Sequence, residues 1–412
     1  MIKRFTIESD KDRYIPISLD TIVPGTQIPF EIFTHDGTIY KSLLDKGSTY
    51  SYFAREMIER QALSRFYIRQ ANALSFNEYM QNAAKLKTML LDTSFFESRY
   101  REFKDRWFII DKRILSSGVP FKIPIGGLRF PVFGEIPFTV DNEVAYKHML
   151  ELNADIAVRK RDIEAYYTYL DMLLDMPEIE DPLVKIRIRR EKLKVWCYKI
   201  HEEIKSNSVL QDTLLKLYKH ISLLIGLIRN NFSMAGKMLF FDVSDRYLYI
   251  HSTNVCLMSM MHGHVINMDD NSLLTLGISA ILHDVGLMII DDDAQEDSPD
   301  DLQREIYRSH VLKGKELLEP YKDIPTIAKT VALTHHERED GSGYLYGFKG
   351  DKIHPFAKIV ALSDTFECKR IPGYKKPVVK RTQILEQMAR QGHLYDSVML
   401  KDFLRFVAGL TL

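Results

Sequence analysis

Residues 333–350 read LTHHEREDGSGYLYGFKG: two adjacent histidines, a run of charge and four glycines in one short stretch. Imidazoles cost free energy to bury and seldom help a core. His335 and His336 therefore either lie wet on a surface or are held by something. The glycines that follow let backbone approach a ligand closely.

Working outward, further histidines recur with acids beside them. His251 precedes STNV, AILHDVG holds His283 and Asp284, RSHVLKG holds His310, and ALSDTF holds Asp364. Each stretch has the apolar spacing of a helix. Five of the 13 histidines and two aspartates thus fall in order, roughly 25–30 residues apart. Helices of a bundle can aim such groups at one interior point. Imidazole and carboxylate suit zinc, manganese or iron. Seven ligands are too many for one metal and fit two, bridged by a carboxylate and a water. Two such metals ~3.5–4 Å apart activate water and stabilise in-line displacement at phosphorus. The ligands alone point to phosphodiester hydrolysis.

The bulk composition sets bounds. A chain of 412 residues with 45% hydrophobic content supports two or three domains. Lys plus Arg equals Asp plus Glu at 56 each, which argues against DNA as a partner, since nonspecific binding needs a basic excess. Cys197, Cys256 and Cys368 form no CxxC pair and fit a reducing, cytoplasmic setting. The N-terminal residues lack a signal-peptide pattern, and no membrane span is expected. The nearest apolar run, LYKHISLLIGLIRNNF, carries Lys219, His220 and Arg229 and reads as a buried helix.

The expected fold is multidomain. Residues 1–80 read as a small α+β regulatory module with short paired strands, a helix over YSYFAREMIERQ and a returning strand at RFYIR. Residues 81–238 read as a mainly helical connector, with GVPFKIPIGGLRFPVFGEIPFTV as a Pro/Gly-rich link. Within it, KIRIRREKLK reads as a solvated helix face or, more sharply, a contact for an anionic partner. Residues 239–412 read as an all-α bundle of at least six helices, with CLMSMM in its core.

The motif H…HD…H…HH…D resembles the HD-GYP family, the helical branch of HD-domain phosphohydrolases that degrades cyclic di-GMP in bacteria. The resemblance covers about a third of the chain, from about Tyr247 to Lys376. It implies that His251, His283 and Asp364 hold one metal, that His310, His335 and His336 hold another, and that Asp284 bridges. It also implies iron or manganese as the divalent ions, Asp284 and His283 as catalytic residues, and substrate contacts from Gly343 and Tyr344. Some family members add a glutamate and a third metal; Tyr247 stands at that position, so two metals are expected.

Three departures bear on the substrate. HDxGK becomes HDVGL, with Leu287 where a phosphate-facing lysine is usual. GYP becomes GYL, with Leu345 for proline. The RPYK stretch becomes KRIPGYKK, leaving Arg370, Lys375 or Lys376 as substitutes. The leading expectation is a phosphodiesterase cutting cyclic di-GMP to pGpG, with GMP as a further product. A catalytically weak or inactive cyclic di-GMP sensor, or a hydrolase of another cyclic dinucleotide, are the alternatives. The N-terminal region is expected to regulate through a homodimer contact or a protein partner.

Overall fold

The alternating pattern near the start of the chain folds into short antiparallel strands. The computed structural model describes residues 14–22, 26–35, 37–47, 49–50, 65–90, 106–117, 121–129, 132–140, 155–177, 179–240, 248–290, 300–370 and 379–410. The chain divides into two units: residues 1–107, 126–137 and 148–154 form one, and residues 108–125, 138–147 and 155–412 the other.

In the first unit, β1 (Tyr14–Ile17), β3 (Ile32–His35), β4 (Tyr40–Leu44) and β6 (Phe66–Arg69) form a sheet in the order β1-β6-β3-β4. β2 (Thr26–Gln27) pairs with β5 (Thr49–Tyr50). Antiparallel register sets Tyr14 against Arg69 and Ile17 against Phe66. Period-2 alternation puts Ile32, Phe66 and Ile68 into one core with Ile22, Ile28 and Phe30, covered by Tyr79 of α1 (Ala73–Leu90). The expected helix over YSYFAREMIERQ lies outside the described residues.

The connector is less helical than its sequence suggests. β7 (Trp107–Ile110), β8 (Phe121–Arg129), β9 (Val132–Val140) and β10 (Asp155–Arg159) form a sheet in the order β7-β10-β8-β9. The Pro/Gly-rich link is thus largely two strands. Pro137 sits in edge strand β9, where a missing N–H is tolerated.

Helices follow: α2 (Ile163–Asp175), α3 (Pro182–Lys205), α4 (Gln211–Asn230), α5 (Phe232–Gly236), α6 (Leu248–Val265), α7 (Asp270–Leu282), α8 (Asp301–Arg308), α9 (His310–Leu318), α10 (Thr326–Thr334), α11 (Pro355–Arg370), α12 (Arg381–Arg390) and α13 (Ser397–Gly409). Capping residues mark the starts. Asp181 accepts from Leu183 N–H with Pro182 in the first turn, and Asp269 accepts from Ser272 N–H. α6 is buried on all sides from Tyr249 to Gly263, as an apolar helix without a polar face must be. It is the axis against which α3, α7, α11 and α13 pack. The α2–α4 helices, placed in a connector by sequence, belong to the same unit as this bundle. Among the described residues, one helical stretch, Asp270–Ile289, has the length and apolar composition of a membrane span. It, rather than LYKHISLLIGLIRNNF, comes nearest, and it is 67% buried.

The stripe KIRIRREKLK is not a solvated face. Arg187, Arg190, Glu191, Lys192 and Lys194 are all buried on α3. Two of the three acids come from distant positions, which is why the local sequence hides them, and the third, Glu191, lies in the stripe itself. Asp111 takes Arg187 at 2.7 Å, Asp171 takes Lys192, and Glu191 takes Lys194 at 2.5 Å and the Tyr166 hydroxyl at 2.9 Å. Burial pushes the Lys194 ammonium down against the opposing pull of Glu191.

Removing one partner strands the others without compensation, at about 3–5 kcal/mol. Glu191→Ala is expected to lower urea-unfolding stability by about that amount; a loss below about 1 kcal/mol would show that water reaches the cluster.

Candidate metal centre

Five elements converge on one interior point. His251 lies in the first turn of α6, His283 caps the end of α7 with Asp284 next, His310 opens α9, His335 and His336 follow α10, and Asp364 lies within α11. Every one of the seven is buried, at 8% exposure or less.

Three imidazoles are oriented by helix carbonyls three or four residues back along the chain. His283 Nδ1 donates to Ala280 O at 2.7 Å, and His310 Nδ1 to Tyr307 O at 2.7 Å. His335 Nδ1 lies 3.1 and 3.2 Å from the Val331 and Ala332 carbonyls. A carbonyl only accepts, so Nδ1 carries a proton and Nε2 is the ring atom turned inward.

Those Nε2 atoms gather round Asp284 in two sets. Oδ2 of Asp284 lies 3.3 Å from His283 Nε2 and 3.5 Å from His251 Nε2. Oδ1 lies 3.2 Å from both His310 Nε2 and His335 Nε2. Asp364 Oδ1 joins the first set at 3.2 Å from His251, and His336 joins the second, its ring 4.2 Å from that of His335. Within each set, one ligand atom per residue lies within 4.8 Å of every other. The structure therefore brings together all seven histidines and aspartates that the sequence singled out, divided as the resemblance implies.

The donor set fits two cations. His251 and His283 face each other Nε2 to Nε2 at 3.3 Å, and His310 and His335 at 3.4 Å. Ring nitrogens this close need a shared proton or a metal cation between them. Asp284 Oδ1 and His336 Nδ1 are buried with no hydrogen-bond partner, a cost that ligation removes.

Protonation differs between the sets. Burial alone would depress His283, but Asp284 and Asp364 overturn it and lift it to about 10. Burial holds His335 and His336 below the ordinary histidine range. Asp284 and Asp364 face the opposite balance: burial would raise them, yet the histidines keep both carboxyls well below the usual range.

Close packing fixes this geometry. A Cβ on Gly286 would lie 2.0 Å from His310 O, so the turn after Asp284 admits only glycine against the start of α9. A Cβ on Gly343 would meet His336 O at 2.4 Å. Tyr344 then stacks on His336, rings 4.6 Å apart and 18° from parallel. Leu345 is exposed, and Leu287 is partly buried in the turn after Asp284.

Other polar groups of the centre escaped the sequence reading. The buried Glu337 carboxylate accepts the Tyr346 and Phe348 N–H groups at 2.7 and 2.9 Å, strapping the glycine loop to the two histidines. Its signal was the HHE tripeptide itself. Asn254 and Glu367 lie one turn beyond His251 and Asp364. Asn254 donates to Glu367 and accepts from Arg190 at 2.6 Å. Arg370 closes a fork on Glu367 with two bonds of 2.8 Å. As a candidate substrate contact, Arg370 is thus already engaged by a carboxylate. Lys375, Lys376 and Tyr247 lie outside the described residues.

Residues 243–398 match the family model described as HD domain. The matched stretch contains all seven histidines and aspartates of the centre. A cyclic di-GMP phosphodiesterase of Pseudomonas aeruginosa is 22% identical over 204 residues, 49% of this chain and 47% of that protein. The 3′3′-cGAMP-specific phosphodiesterase 2 of Vibrio cholerae is 29% identical over 184 residues, 40% of this chain and 34% of that protein. The chain thus spans between a third and a half of the length of these curated relatives. A solved structure of an HDG"Y"P protein from Bdellovibrio bacteriovorus shares the fold, with a TM-score of 0.50 at 12% identity, covering 96% of this chain and all of that one.

Two outcomes follow. A metal entering the His283 set must displace a proton held up to a pKa of about 10, whereas burial keeps His335 and His336 neutral. Lower pH therefore weakens the His283 set first. Metal content after dialysis at pH 6 is expected to fall from about two per chain toward one; loss of both ions together would refute this order. Secondly, Glu337→Gln removes the charge and one acceptor oxygen. Amide exchange at Tyr346 and Phe348 is expected to speed up about tenfold, and unchanged exchange would show that the loop is held elsewhere.

Proposed function

We propose that the protein is a metal-dependent phosphodiesterase that hydrolyses cyclic di-GMP to linear pGpG, and onward to GMP where the linear product is cut again. The observation that carries this reading is Asp284, whose two oxygens each face a separate set of inward-turned histidines. Iron or manganese is the expected pair of ions. When bound, such ions supply an activated water and offset charge developing at phosphorus. The chain's own residues do the rest. Asp284 and His283 orient the centre, the buried α6 and α11 walls exclude bulk water from its inner side, and Gly343 lets the Tyr344 loop close against His336. The names of the curated relatives support a cyclic dinucleotide as substrate. The setting is read as cytoplasmic, with the N-terminal unit as the regulatory part, through a partner protein or a second copy.

A second reading keeps the chemistry and changes the substrate to another cyclic dinucleotide. Leu287 favours it, since an apolar side chain stands where the resemblance implies a phosphate-facing lysine. The relative specific for 3′3′-cGAMP is consistent with it.

Metal content of anaerobically purified protein, with cyclic dinucleotide turnover on the same sample, tests both readings. About two ions per chain with pGpG appearing is the expected result, and Asp284→Ala is expected to cut turnover about a thousandfold or more. Turnover of cyclic GMP-AMP alone would favour the second reading. Two ions with tight cyclic di-GMP binding and no turnover would mark a sensor and overturn both.

A further inference from the structure

A cyclic dinucleotide brings two phosphates, and the metal sets face only the one being cut. The other needs a cation of its own. Among the described residues, four arginines touch groups of the centre, and one of them, Arg190, is buried on α3 and bonded to Asn254. Arg370 is forked onto Glu367. Arg338 donates to the His335 and Glu337 carbonyls at 3.0 Å each. Both are committed to holding the fold.

Arg308 differs. It ends α8, two residues before His310, and its guanidinium carbon lies 5.2 Å from the centroid of the Tyr344 ring, which itself stacks on His336. Backbone and ring thus tie Arg308 to two residues of the second metal set. Its ionic contact is Glu305, one turn back at 3.2 Å, with side chains 41% and 69% exposed. Solvent screens such a pair, which contributes little. Its Nε–H is buried without an acceptor. Leu287, on the turn beside α9, supplies no charge.

We propose that Arg308 is a specificity-determining residue that binds the non-reacting phosphate of a cyclic dinucleotide. The proposal rests on the phosphodiesterase reading above. A guanidinium presents a planar fork that matches phosphate oxygens in pairs, and the Tyr344 ring holds that fork at the edge of the centre. The phosphate supplies the acceptors that exposed Glu305 provides only weakly.

The test compares the metal-loaded full chain with its Arg308→Ala and Arg308→Lys variants. Cyclic di-GMP affinity is measured by calorimetry, KM and kcat by turnover, and bis(p-nitrophenyl) phosphate serves as a diester with a single phosphate. Arg308→Ala is expected to weaken cyclic di-GMP in Kd and KM about tenfold to hundredfold. That loss should exceed any loss on the single-phosphate diester at least about tenfold, and Arg308→Lys should recover part of it. Equal losses on both substrates would mark a structural role through His310 and overturn the proposal, as would unchanged affinity. If Arg308→Ala fails to take up metal, the Arg308→Lys comparison decides by the same criterion. Wild-type protein that cleaves the small diester yet neither binds nor cleaves cyclic di-GMP overturns the substrate reading itself, and that failure is visible before any variant is made.

Discussion

The centre depends on three hydrogen bonds made by backbone carbonyls. Ala280 and Tyr307 each accept a hydrogen bond from a histidine Nδ1–H, and two carbonyls in the last turn of α10 share the third. Because each carbonyl lies three or four residues back along the chain, ordinary helix geometry aims the opposite ring nitrogen. No long-range partner is needed to choose the tautomer. Asp284 then gathers the inward ring atoms, and its own position follows from the end of α7 and the glycine packed on α9. A cation-binding cage is thus written largely in local helical structure, and the bundle only has to bring the helix ends together.

That locality explains why the candidate centre was legible in sequence. Histidine and aspartate at helix ends, repeated at regular intervals, leave a trace that survives without coordinates. Glu337 left a weaker one, because its work is to bind two amides nine and eleven residues ahead, and only the folded loop shows that. The pairing of Arg370 with Glu367 lies one helical turn apart, yet the sequence offered the arginine to substrate, since spacing alone does not say which of two anions it prefers.

The misread segments share one physical cause: their partners are remote. The stripe on α3 looks solvated as long as only its own neighbours are counted. Two of its counter-charges lie in α2 and beside β7, and a neutral amide of α6 takes Arg190. Likewise β8 and β9 contain residues that usually break structure, and the sheet around them supplies what local propensity lacks. The apolar character of α7 reflects burial at the heart of a bundle, where composition resembles that of a membrane segment without implying a bilayer.

The bond from Arg190 to Asn254 sets where this protein can be divided. Asn254 and Glu367 stand one turn beyond His251 and Asp364 on α6 and α11, and the guanidinium that reaches Asn254 comes from α3. A fragment beginning at residue 239 would take the Arg190 guanidinium away from Asn254 and bare the flank of α6 that α3 covers. The helices ahead of the motif are therefore part of the wall of the candidate centre rather than a tether to it.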